Sequence, residues 1–176
     1  MAEEMRSPIE SGCPDAFQYM HPVMRKNFGQ WAYHEDLRPG VLVHVSHTGD
    51  KIYTVRAGTQ RILDLFTLRK LCDIGDEYGE GYIHFTIRSN IEYQLADEAK
   101  VEPLIKKLED EGFIVGGTRN SVTMISHTQG WLHCDIPGTD ASGVVKSMMD
   151  ELIGEFTSWE MPNRVHLTTS CCQINC

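Results

Sequence analysis

Residues 41–56 read Val41-Leu42-Val43-His44-Val45-Ser46-His47-Thr48-Gly49-Asp50-Lys51-Ile52-Tyr53-Thr54-Val55-Arg56. Two runs rich in β-branched residues flank Thr48-Gly49-Asp50, and a short polar break containing glycine between such runs predicts a hairpin. The turn pair Pro39-Gly40 precedes it. Beyond it, Leu68, Leu71, Cys72, Ile74 and Gly75 recur at the spacing of a helix with one buried face, from Thr67 to Tyr78, and Gly79 and Gly81 would stop it. Tyr82 to Arg88 alternates as a strand, Ser89-Asn90 interrupts, and Ile91 to Leu95 alternates again. Asp97 caps a helix running to Glu111, with Val101, Leu104, Ile105 and Leu108 on one side. Pro103 stands deeper in that helix than a first-turn proline should. The order β-β-α-β-β-α predicts an α+β fold, an antiparallel sheet with helices on one face.

Working outward, residues 1–37 hold Pro8, Gly12, Pro14, Pro22 and Gly29 with little periodicity, which reads as an extended subunit-packing arm. Residues 38–115 form the sheet-and-helix unit, which resembles a ferredoxin-like split β-α-β arrangement. From residue 116 the texture changes. Gly116-Gly117-Thr118-Arg119-Asn120 is a Gly-rich turn and Val122 to Ser126 a strand. The polar and aromatic stretch from His127 to Cys134 reads as strand-like at its end. Asp140 or Ser142 starts a helix through Met148, Met149, Leu152, Ile153 and Phe156. A last strand, Arg164 to Leu167, runs into Thr168-Thr169-Ser170-Cys171-Cys172-Gln173-Ile174-Asn175-Cys176.

The chain has 176 residues and a formal charge of −9, which disfavours a nucleic-acid partner, since such partners select a basic face. No apolar run reaches the roughly 20 residues of a membrane helix. The acidic start Met1-Ala2-Glu3-Glu4-Met5-Arg6 lacks the apolar core of a secretory signal, so a cytoplasmic location is expected. Lys100, Lys106, Lys107 and Lys146 fall on helix surfaces, whereas Arg56, Arg61, Arg88 and Arg119 fall in strand-like or Gly-rich segments. The planar guanidinium fork suits oxyanions, so these arginines are candidates for a small anionic ligand as well as for plain surface charge.

Six cysteines are too few for a disulfide scaffold. Cys13, in the arm, and Cys72, on a helix, read as ordinary thiols. Cys171, Cys172 and Cys176 form a C-C-x₃-C group after a strand, and Cys134 ends another strand-like stretch. Thiolates bind iron strongly, and a [4Fe–4S] cluster needs four of them. Structural zinc, with His133 or His166 completing the set, remains open, although adjacent cysteines strain the usual zinc spacing. Inert buried thiols also remain open, but fit three cysteines in six residues poorly.

Several motifs together resemble the β-subunit family of dissimilatory sulfite reductase, within the siroheme and [4Fe–4S] nitrite/sulfite reductases. They are Gly130-Trp131-Leu132-His133-Cys134, Cys171-Cys172-Gln173-Ile174-Asn175-Cys176, Tyr53-Thr54-Val55-Arg56, Phe85-Thr86-Ile87-Arg88-Ser89-Asn90, Ile125-Ser126-His127-Thr128-Gln129-Gly130 and Asp140-Ala141-Ser142-Gly143. The resemblance implies a ferredoxin-like half domain followed by the first part of a siroheme/[4Fe–4S] domain, cut at Cys176. It implies [4Fe–4S] ligation by Cys134, Cys171, Cys172 and Cys176, with Cys176 also the axial ligand of siroheme. It implies Arg56 and Arg88 as catalytic and siroheme-binding residues, with Asn90, Arg119, Thr128, Gln129 and His133 as further cofactor contacts. The expected activity is the six-electron interconversion of sulfite and sulfide. The expected partners are an α subunit in an α₂β₂ complex and a small sulfur-carrier protein. The arm, Glu10-Ser11-Gly12-Cys13-Pro14 leading to Phe28-Gly29-Gln30-Trp31, is similar to the oxidatively operating members. The rival reading is a non-enzymatic ferredoxin-like binding module with a structural zinc.

Overall fold

A computed structural model describes residues 15–60 and 62–175. Cys13, Arg61, Cys176 and the first part of the arm lie outside the described residues. After α1 (Pro22–Lys26) come β1 (Trp31–Arg38), β2 (Val41–Ser46), β3 (Lys51–Gly58), α2 (Leu65–Glu77), β4 (Ile83–Phe85) and β5 (Asn90–Leu95). Then follow α3 (Val101–Asp110), β6 (Val122–His127), α4 (Ala141–Glu151), α5 (Ile153–Thr157) and β7 (Val165–Thr169).

The first five strands form one antiparallel sheet in the order β1-β2-β3-β5-β4. Alternation along the strands sends Val41, Val43, Tyr53, Val55, Ala57, Ile91, Tyr93 and Leu95 to one face. That face is covered by Leu71 and Ile74 of α2 and by Val101, Leu104, Ile105 and Leu108 of α3. The expected α+β layer is therefore present, with its core between sheet and helices. Gly75 lets α2 approach closely, since a Cβ there would stand 3.3 Å from the Tyr93 ring. The Tyr93 hydroxyl, otherwise buried, donates to the Leu71 carbonyl at 3.0 Å.

Four local expectations change. The arm reading of 1–37 does not extend to its end, because Trp31–Arg38 pairs with β2 as an edge strand. Its exposed, weakly periodic side chains hide it from pattern reading. The strand expected over 82–88 stops at Phe85, because the Thr86 hydroxyl accepts from the backbone N–H of Arg88 and Asn90 and folds a turn. Ser89 takes a left-handed φ of 58° in that turn. Pro103 is accommodated because Asp97 caps a separate 3₁₀ turn, Glu98–Lys100, leaving the proline in the first turn of α3. Finally, the single helix expected from Asp140 to Phe156 breaks at Leu152 into α4 and α5.

The N-terminal segment is tied to this sheet by a polar knot. His21 is 3% exposed, and its Nδ1 accepts from the Val23 N–H, so Nε2 is left to bond Glu80 at 2.7 Å. Burial pushes the Glu80 carboxyl up, but bonds from the Ala96 N–H, His21 and the Asp97 N–H outweigh it and hold it below the usual range.

Leu104→Ala is expected to cost about 2–5 kcal/mol in denaturant unfolding, because Leu104 is fully buried between α3 and the sheet. A carboxyl depressed in the folded state stabilises above its unfolded value of about 4.3, and that contribution is lost as pH falls through the folded value. The unfolding midpoint of wild type should thus fall more steeply below about pH 4.3 than that of Glu80→Gln.

Candidate functional site

The second sheet holds β6 and β7, which pair in parallel from Val122↔Val165 to His127↔Thr169. Parallel neighbours need a crossover, and α4 supplies it. Asp140 caps α4 by accepting from the Gly143 N–H at 3.0 Å, while Ala141 and Val145 bury its inner face. Because β6 and β7 run the same way, the segments that follow them leave from the same edge. Loops beyond the carboxyl ends of parallel strands are where α/β sheets receive ligands. Cys134 and the Cys171-Cys172 pair are carried to one end of the molecule in this way.

Cys171 is 1% exposed. Its N–H donates to the Thr128 Oγ1 at 3.0 Å, and its carbonyl accepts from Gly138 and Thr139 at 2.9 and 3.0 Å. Gly138 is needed for that approach, since a Cβ there would stand 3.2 Å from the Cys171 oxygen. Bonding by the Thr128 hydroxyl leads the causes that hold the Cys171 thiol below its ordinary range; burial opposes it, and the Gly130 N–H and Cys172 assist. The same short 3₁₀ turn, Gly130–Leu132, reaches Cys134, whose N–H donates to the Gly130 carbonyl at 3.2 Å. Cys134 sits in the loop after this turn rather than at a strand end as expected, and it is half-buried, like Cys172. Among the described residues no three His, Cys, Asp or Glu side chains stand close enough to ligate one metal. The donor chemistry nonetheless fits iron, because cysteine sulfurs are the ligands that an iron–sulfur cluster takes.

The arginines occupy the other face of the first sheet. Arg56 on β3 stands opposite Glu92 on β5. Its Nε and a terminal nitrogen reach Glu92 Oε1, each at 2.6 Å, and another donates to the Gly117 carbonyl at 2.8 Å. His84 on β4 approaches the second Glu92 oxygen at 3.1 Å. Both members of the pair are about nine-tenths buried, with side-chain exposures of 13% and 10%.

Arg88 does not turn back to Glu92. Its Nε meets His166 Nε2 at 3.3 Å instead. Burial, Arg56 and Arg164 lower the Arg88 pKa, and burial, Arg88 and Arg164 lower that of His166. Among the described residues neither Arg88 nor Arg164 forms an ion pair. Arg88 and Arg164 thus make a cationic pair beside His166, whose Nε2 accepts from Arg88 and whose charged form they disfavour. Sequence reading did not single out Arg164 and weighed His166 only as a zinc ligand, although their two-residue spacing at a strand was a usable signal for a shared site.

Asn90 is buried and donates to the Thr123 carbonyl at 3.4 Å, joining β5 to β6. Arg88 and Asn90 also line a cavity of about 270 Å³ between the two sheets, with Leu63, Phe113, Val122 and Phe156. Arg119 is exposed, takes a left-handed φ of 56°, and lies 5.1 Å over the Trp159 ring. Thr128 is 7% exposed, whereas Gln129 and His133 are exposed around the 3₁₀ turn. The expected residues therefore divide. Thr128, Gln129, His133, Cys134, Cys171 and Cys172 share the end of β6 and β7, while Arg88 lies near the start of β7. A strand of five residues separates the groups by about 17 Å.

Breaking the buried pair by Glu92→Ala should cost about 3–5 kcal/mol in unfolding free energy, because Arg56 is then left buried without a counter-charge.

Comparison with known proteins adds to this geometry. Residues 44–111 match the nitrite/sulfite reductase ferredoxin-like half domain. The dissimilatory-type sulfite reductase subunit beta of Archaeoglobus fulgidus is 44% identical over 94% of this chain and 47% of that protein. The same-named subunit of Nitratidesulfovibrio vulgaris is 46% identical over 90% of this chain and 44% of that protein. The one from Megalodesulfovibrio gigas is 41% identical over 99% of this chain and 70% of that protein. In fold, the chain is similar to dissimilatory sulfite reductase I, with a TM-score of 0.76 at 14% identity, over 88% of this chain and 40% of that one. It is also similar to the Mycobacterium tuberculosis NirA protein, with a TM-score of 0.56 at 16% identity, over 69% of this chain and 23% of that one.

Proposed function

Since the chain belongs to the family of dissimilatory-type sulfite reductase beta subunits, we propose that it serves an oxidoreductase that interconverts sulfite and sulfide. The chain spans about half the length of the first two relatives that it matches, so the site proposed for it is one part of a larger apparatus. The observation that carries the reading is the parallel β6–β7 pair, which delivers Cys134, Cys171 and Cys172 to a single edge. Cys134, Cys171, Cys172 and Cys176 are read as the thiolates of a [4Fe–4S] cluster, Cys176 being shared with siroheme.

When bound, the coupled cluster and siroheme would relay, one at a time, the six electrons that an external redox partner gives or takes. The chain's own residues would bind and orient. Arg88, Arg164 and His166, lacking an internal carboxylate, suit the carboxylates of siroheme or the oxyanion itself. Arg56 would act differently: its donors are already taken by Glu92 and Gly117, so it stiffens that face unless the Glu92 pair opens. Arg119, Gln129 and His133, being exposed, are accessible to a cofactor edge. An α subunit in an α₂β₂ complex would close the site from outside. A small sulfur-carrier protein, a cytoplasmic location and operation in the oxidative direction complete the reading; its support is the motif resemblance in the arm.

Metal analysis of the anaerobically prepared protein tests this. About four iron and four acid-labile sulfide per cluster are expected, with loss of both in Cys171→Ser. One zinc per chain without labile sulfide would instead establish the structural-zinc reading.

A further inference from the structure

We propose that Thr128 is a positioning residue for Cys171: its hydroxyl oxygen, buried just beyond the end of β6, grips the Cys171 peptide N–H and so holds this one cysteine in place for the cluster. The inference rests on the proposed cluster reading and adds a role that the family motif alone did not give to Thr128.

The geometry is specific. The Thr128 Oγ1 accepts from the Cys171 N–H at 3.0 Å, and both residues are buried. At 7% exposure Thr128 presents little surface to a siroheme carboxylate. The position of Thr128 is itself set by the ladder, for its N–H donates to the Thr169 carbonyl at 3.2 Å. Its β-branched side chain is stiff at χ1, so the hydroxyl is aimed rather than free. On its other side the Cys171 carbonyl is held by Gly138 and Thr139. Cys171 is thereby clamped at both its peptide N–H and its carbonyl while Cys134 and Cys172 stay half-exposed. One fixed thiol and more adaptable neighbours is an arrangement that lets a cluster dock on Cys171 and draw the others in. Outer-shell hydrogen bonds of this kind orient ligands and tune the metal.

The test compares Thr128→Val, which keeps the shape and removes the hydroxyl, with Thr128→Ser, which restores the hydroxyl, each in the native complex under anaerobic conditions. In Thr128→Val the cluster should be lost to a chelator roughly 10- to 100-fold faster. Its reduction potential should shift from that of wild type, since the Cys171 ligand is then less firmly oriented. Thr128→Ser should return both to near wild type. A Thr128→Val cluster with unchanged potential and chelator resistance would overturn the inference. So would equal damage in both variants, which would mark packing rather than the hydroxyl, or siroheme loss with an unaltered cluster. Absence of iron and labile sulfide from wild type would overturn the cluster reading as well, so the two failures are distinguishable.

Discussion

The parallel ladder between β6 and β7 is the constraint from which the candidate site follows. A parallel pair sends both chain ends of its strands out at one edge, whatever the length of the crossover. Here the crossover contains α4 and α5, so the segments that carry Cys134 and Cys171, far apart in sequence, leave the same end of the sheet. An antiparallel pairing of the same two strands would put the Cys134 loop and the Cys171 loop at opposite edges. The ladder also fixes Thr128 opposite the segment that carries Cys171, and places His166 back toward Arg88.

The larger antiparallel sheet works as a platform. Its core on the helix side is apolar and conventional, and its other face carries the charged and imidazole groups. The two arginines singled out by their strand positions have unlike surroundings. Arg56 is neutralised by Glu92 across a register pair, which makes it part of the framework. Arg88 lies within the turn from Thr86 to Ser89, and that turn directs it away from Glu92 and up to β7. Asn90, in the same turn, binds the two sheets together. The turn that shortened β4 is therefore also what joins the half domain to the cysteine-bearing unit.

Much of this was legible. The hairpin at Thr48-Gly49-Asp50, the apolar faces of α2 and α3, and the strand before Cys171 all announced themselves through period and turn chemistry. The edge strand β1 did not, because an exposed strand has no buried side to leave a pattern. The 3₁₀ turn before α3 and the break at Leu152 were equally silent, since element boundaries depend on which backbone groups find partners. Among the site residues, motif resemblance singled out the cysteines and Arg88, while Arg164, and the place of His166 beside Arg88 rather than at a zinc, emerged only from the fold.

The opening residues 41–56 mark where that division falls. Their alternation determined a hairpin with Val41, Val43, Tyr53 and Val55 on one side, because a one-residue slip would turn that set to water. They also determined that Arg56 faces away from the helices. What stands opposite Arg56, and whether its guanidinium is free, was decided only by the pairing of β3 with β5, a long-range contact that sequence periodicity does not encode. The same holds for the cysteines. Their identity and number established the available chemistry, whereas the parallel direction of two strands decided that they share an edge.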